Sequence, residues 1–139
     1  MVVARLLRLA LIADAVATAG TGLLMFTMGN ALEPVLGIPA ALSTNAGLGL
    51  LPYAAIVGYL GSRTRIPQGV VWAVVGGNVA WAVASLAALL TQWIDATTLG
   101  YVFVIGQAAV VAVFAELQYL GLRRSTAAPR RHQARVAAA

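Results

Sequence analysis

The chain of 139 residues has no cysteine, no lysine, one histidine and only four acidic residues. Without cysteine there can be no disulfide, no thiolate metal ligand and no thiol redox chemistry such as quinone-linked disulfide oxidation. The single histidine, His132, lies outside the apolar runs. That leaves no histidine to hold a haem among helices and removes the common ligand sets of transition-metal centres. No phosphate-binding glycine loop is present either, because Gly20-Thr21-Gly22 and Gly76-Gly77 fall inside apolar stretches. No nucleophile is visibly paired with a base. The expectation is a non-enzymatic chain with no cofactor and no metal.

What is present is mostly apolar. Hydrophobic residues make up 61% of the chain and the mean hydropathy is +0.89, outside the range of an ordinary soluble domain of this size. There is room for four spans of about 20 residues with short connectors and a tail, and none for a separate soluble domain. All nine basic residues are arginine, and they fall in three places. Arg5 and Arg8 precede the first apolar run, Arg63 and Arg65 lie between the second and third, and Arg123, Arg124, Arg130, Arg131 and Arg135 follow the fourth. The other two connectors carry only Glu33 and Asp95. Short basic loops resist translocation, so this alternation predicts both ends in the cytoplasm. The expected fold is all-α, an integral membrane four-helix bundle of two antiparallel hairpins, N-in/C-in. The net charge of +5 is accounted for by these topology determinants, and nucleic acid is not expected as a partner.

The spans are read at 6–28, 45–60, 69–91 and 99–122, making 1–122 the bundle and 123–139 a basic tail. The tail has no apolar periodicity and is expected to be disordered in the cytoplasm. Its arginines, Arg123, Arg124, Arg130, Arg131 and Arg135, suit contact with the anionic lipids of the inner leaflet. The connector at 29–44 is apolar for a loop, through Leu32, Val35, Leu36 and Ile38, and predicts a short interfacial helix with Pro34 near its start. Pro52 is expected to kink the second span by freeing a carbonyl near Leu48. Trp72, Tyr59 and Tyr119 fall near the cytoplasmic boundary, and Trp93 and Tyr101 near the outer one, where amphipathic rings prefer to sit. Tyr53 and Trp81 lie deeper and read as packing residues. Arg5, Arg8 and the following apolar stretch to Ala17-Thr18-Ala19 have the outline of a cleavable secretion signal. Asp14 within that stretch, and its continuation through Leu23, Leu24, Met25 and Phe26, favour a retained span.

Few polar residues lie within the spans, and these are the candidate site. Asp14 comes six residues after Arg8, roughly 9 Å along the helix. A charged aspartate at the bilayer centre costs about 2.5–3.5 kcal/mol, so it should face protein or water. Asp14, Thr18, Thr21, Met25 and Met28 share one helical face, expected to point inward. Glu116 lies seven residues before Arg123, at a depth matching Asp14. If the first and last spans pack together, the two carboxyl groups form either a proton- or cation-linked site or a hydrogen-bonded structural pair. Asn78 lines up with Ser85 and Gln92 at heptad spacing, as interhelical glue or a binding residue. It also stands at a position in the third span comparable to that of Asp14 in the first, a hint of a duplicated hairpin. Gln107 and Glu116 are nine residues apart and point to opposite sides of the fourth helix, so Gln107 is expected at a second interface. Small residues four apart, such as Ala54 and Gly58 or Ala108 and Ala112, predict close helix approach.

The run from Phe114 to Arg124, Phe-Ala-Glu-Leu-Gln-Tyr-Leu-Gly-Leu-Arg-Arg, together with Leu51-Pro-Tyr53, resembles a group of small four-span proteins of unassigned function in bacterial inner membranes. The resemblance implies a multi-pass protein of the bacterial inner membrane and carries no activity. Two functional readings follow from the residues. One is an accessory or assembly subunit that packs against itself or a larger membrane complex. The other is a small oligomeric transporter or channel with a proton- or cation-linked polar path through Asp14, Glu116 and Asn78. A membrane enzyme acting on lipid or quinone would have to use these same few residues.

Overall fold

Gly37 with Pro39, and the turn from Arg63 to Pro67, mark two of the breaks between helices. The computed structural model describes residues 1–138, and within them the side chains of all but 128–130. Four helices follow one another: α1 (Arg5–Leu36), α2 (Ala40–Ser62), α3 (Gln68–Ala88) and α4 (Thr98–Ala137). Each is long and apolar enough to cross a membrane. The chain is thus all-α, apart from an isolated β-bridge between Val2 and Arg65.

The helix boundaries have local causes. α1 ends at Gly37, whose φ of 70° places it in the left-handed region that glycine enters without strain, and its N–H reaches the Glu33 carbonyl at 2.8 Å. The Glu33 carboxylate then accepts from the Ala40 N–H at 3.0 Å, which caps α2 and places negative charge at its positive end. α4 starts at Thr97, whose hydroxyl accepts from Gly100 N at 3.1 Å and donates to the Val35 carbonyl at 2.6 Å. One threonine therefore caps α4 and ties its start to the end of α1.

Two segments differ from the sequence expectation. The apolar segment after Met28 is helical, as anticipated, but it continues α1 past a break at Met28 (φ −116°, ψ 16°) and does not form a separate helix. α2 is helical on both sides of Pro52, the position of the expected kink. The tail expected to be disordered is helix as far as Ala137. Alanine and arginine are among the better helix formers, and that propensity outweighs the missing apolar face. Ser125 also anchors this segment. It is buried, donates to the Gly121 carbonyl at 2.9 Å and accepts from the Ala4 N–H at 2.8 Å.

α1 packs against α2 and α4, and α3 packs against α4, while α2 and α3 approach each other less closely. The tightest crossings use glycine. A Cβ at Gly47 would lie 2.6 Å from the Gly22 carbonyl oxygen, and one at Gly121 would lie 2.7 Å from Leu7 Cα. Apolar packing is split between two ends. At the arginine end Leu7, Leu11, Val57, Ile66, Val71 and Leu122 form one cluster, and at the other Leu36, Ile38 and Val104 form a second. The polar residues of the interior lie between them.

Candidate functional site

Each of the four helices sends a polar side chain to one point. Asp14 comes from α1, Tyr53 from α2, Asn78 from α3 and Gln118 from α4. Asp14 and Gln118 are fully buried and Asn78 is 2% exposed. These positions follow from helical phase: Asp14 lies in register with the buried Leu7, Ala10 and Leu11, and Gln118 with the buried Ala115 and Leu122.

The bonds converge on the Asp14 carboxylate. Its Oδ2 accepts from Asn78 Nδ2 at 2.7 Å and from Gln118 Nε2 at 2.6 Å, and its Oδ1 accepts from the Thr18 hydroxyl at 3.0 Å. Asn78 Nδ2 also donates to Gln118 Oε1 at 3.0 Å, and Asn78 Oδ1 accepts from the Tyr53 hydroxyl at 2.9 Å. Tyr53 OH lies 3.2 Å from the Val74 carbonyl as well. All the partners of the carboxylate in this network are neutral donors. Interhelical hydrogen bonds in lipid average about 0.6 kcal/mol each. The four here therefore contribute about 2–3 kcal/mol, and they fix the rotation of all four helices at once.

A cavity of about 550 Å³ begins on the far side of this network, away from the arginine end, where Thr18, Tyr53 and Asn78 form part of its wall. Farther along, Trp81 Nε1 donates to Gln107 Oε1 at 2.9 Å, and Gln107 Nε2 donates to the Val104 carbonyl at 3.1 Å. A second cavity of about 200 Å³ shares Trp81 and Gln107 as wall residues. Among the described residues no three His, Cys, Asp or Glu side chains are placed together to hold a metal ion.

Of the residues singled out in the sequence, Asp14, Thr18 and Asn78 meet directly. Two expectations are corrected. Glu116 does not pair with Asp14; it lies on the exposed face of α4. Depth along a helix leaves rotation open, and Gln118 takes the place by Asp14 because two residues turn a helix by about 200°. Gln107 faces inward and bonds Trp81, so it is Glu116, on the opposite side, that points away from the bundle. Tyr53 and Trp81, read as packing residues, are hydrogen-bonding members of the interior. Ser85 donates back to the Trp81 carbonyl at 2.7 Å, and Gln92 lies beyond the end of α3, so the heptad line contributes only Asn78 to the cluster. Arg123, Arg124, Arg131 and Arg135 are exposed, and the side chain of Arg130 lies outside the described residues.

At the arginine end, aromatic rings and guanidinium groups alternate. The Arg63 guanidinium lies 4.3 Å from the centre of the Tyr59 ring and donates to its hydroxyl. Arg123 lies 5.9 Å from the Tyr119 ring, which packs on Trp72 at 5.6 Å. This is a favourable cation–π arrangement. Comparison with protein-family models, curated proteins and solved structures gave no match in any of the three.

Proposed function

We propose that the chain is a small, non-enzymatic accessory or assembly subunit of the bacterial inner membrane. In this reading it is an N-in/C-in four-helix bundle that packs against itself or a larger membrane complex. The observation that carries the reading is the exposed Glu116. By helical rise it lies roughly 10 Å inside the arginine boundary at Arg123. Its neighbours on the same face, Val113 and Leu120, are 53% and 39% exposed and apolar. A carboxylate facing lipid costs up to about 2.5–3.5 kcal/mol at mid-bilayer and less toward the edge. A donor or cation from another chain offsets that cost, and α4 presents the group ready for one.

The helical extension of α4 fits the same placement. Arg124, Arg131 and Arg135 recur at seven- and four-residue spacing, on one stripe. Near an anionic inner leaflet each contributes about 1 kcal/mol. The test is a photo-crosslinking residue in place of Val113 in the native membrane. It should give a discrete protein adduct that Glu116→Leu abolishes. Labelling of lipid alone, or an adduct indifferent to Glu116→Leu, would refute the reading.

The cavity favours a second reading, a small oligomeric transporter or channel with a proton- or cation-linked path. Its two-carboxylate motivation is gone, since Asp14 and Glu116 do not share a site. The apolar cluster of Leu7, Leu11, Val57, Val71 and Leu122 also stands between Asp14 and the arginine end. Ion flux no greater than in protein-free vesicles would eliminate this reading, and normal flux through Asp14→Asn with Glu116→Gln would remove both carboxyl groups from the path.

A further inference from the structure

The larger cavity has four properties that together select a kind of occupant. Its volume of about 550 Å³ falls within the roughly 300–1,000 Å³ of small-molecule sites. Its wall has no acidic, basic or histidine side chain, since Asp14 lies behind Asn78 and Thr18. It lies against both α2 and α3, the sequence neighbours that pack least closely. Finally, its wall holds polar groups left without partners. Thr27, Ser85 and Ser125 turn their hydroxyls back to the carbonyl four residues earlier. The half-buried Thr21 hydroxyl and the exposed Asn45 amide, at the open side of the cavity wall, make no side-chain hydrogen bond among the described residues, while every buried side-chain polar atom described has a partner. An apolar chamber with a few unspent hydrogen-bonding groups is how proteins orient a lipophilic ligand.

We infer that this cavity is a binding site for a neutral, membrane-dissolved amphiphile, an apolar chain carrying a hydroxyl or carbonyl that bonds Thr21 and Asn45. The lack of charge in the wall disfavours an ionised head, which would be desolvated without a counter-charge. Two sources offer this chemistry: a free neutral lipophile, or the ester carbonyl and acyl chain of a phospholipid. The free lipophile fits the uncharged wall, because it brings no phosphate to the gap between the helices. The site is independent of the partner assigned to Glu116.

Trp81 lines the cavity and reports directly on its contents. In the full chain, Trp72→Phe with Trp93→Phe leaves Trp81 as the sole indole. The protein is reconstituted in vesicles of unlabelled phospholipid, and a dibrominated long-chain fatty alcohol is titrated in as a contact quencher. A parallel titration uses dibrominated phosphatidylglycerol. The expected result is saturable quenching by the alcohol at low mole fraction and a shallow, linear response to the phospholipid. Gly49→Phe should remove the saturable phase, because Gly49 lines the cavity and a Cβ there meets nothing within 4 Å. Thr21→Val, which keeps the shape and deletes the hydroxyl, should weaken the alcohol by about five- to ten-fold. Helix content and elution volume check that each variant is folded. Linear quenching by both probes would overturn the site, and equal saturation by the phospholipid would overturn its preference for a free neutral ligand. Unchanged affinity in Thr21→Val would overturn the assigned hydrogen bond.

Discussion

Replacing Asp14 by leucine removes the one acceptor that three side chains share. Thr18, Asn78 and Gln118 all donate to its carboxylate, at 3.0, 2.7 and 2.6 Å. Each lost bond is worth about 0.6 kcal/mol on average and up to about 1.7 kcal/mol in lipid. Thr18 can turn to a carbonyl of its own helix, but the two amides are held by their buried positions. We expect Asp14→Leu to destabilise the fold by about 2–4 kcal/mol on this basis. Asp14→Asn is the discriminating companion. Its carbonyl oxygen can still accept from Asn78 and Gln118, while its new N–H₂ meets the Thr18 hydroxyl, which rotates from donor to acceptor. Every group stays paired, so the cost should stay below about 1 kcal/mol. The assay is reversible unfolding in mixed micelles with increasing SDS, followed by tryptophan fluorescence. Leucine within about 0.5 kcal/mol of the parent would refute the reasoning, as would asparagine as damaging as leucine.

Other perturbations test separate parts of the structure. Gly47→Ala places a Cβ 2.5 Å from Phe26 N, so α1 and α2 must move apart; a loss of about 1–3 kcal/mol in the same unfolding assay is expected. Ser125→Ala frees the Ala4 N–H and should speed amide exchange at residues 2–4, where Val3 N also donates to the Thr64 carbonyl at 3.0 Å; exchange mass spectrometry reads this. Because the chain has no cysteine, Ser62→Cys and Gln92→Cys can be probed singly with an impermeant thiol reagent in intact cells. Labelling of position 92 alone is the N-in/C-in result, and labelling of position 62 alone reverses the topology.

Much of the helical framework was legible because its causes are local. Arginine placement, long apolar runs and the breakers Gly37, Pro39 and Pro67 are all read along one dimension. The inward stripe of α1 was legible for the same reason: Asp14 and Met25 are buried and Thr18 and Thr21 half-buried. It fails at Met28, where the helix breaks and that side chain is 46% exposed. What could not be read is rotation. α4 is apolar nearly all round, so no polar face marks its outside, and the sequence reading singles out Glu116 and passes over Gln118. The signal available was phase: Gln118 lies three and four residues from Ala115 and Leu122, an inward line that continues through Ala108 and Val104. Tyr53 was missed for a different reason. An aromatic deep in a span reads as packing, and only the α2–α3 geometry reveals that its hydroxyl meets Asn78.

Two sets of polar residues within the spans differ in what they face. Asp14, Asn78, Tyr53 and Gln118 bond to one another across the four helices, and Glu116 is exposed on α4, where the proposed function places a partner. Native mass spectrometry of the protein, extracted gently from its own membrane at natural expression level, tests that division most directly. The account predicts a defined assembly, with further copies or another membrane chain, that Glu116→Leu dissolves while leaving a folded monomer. A monomer in both samples, or an assembly unaffected by Glu116→Leu, would contradict it.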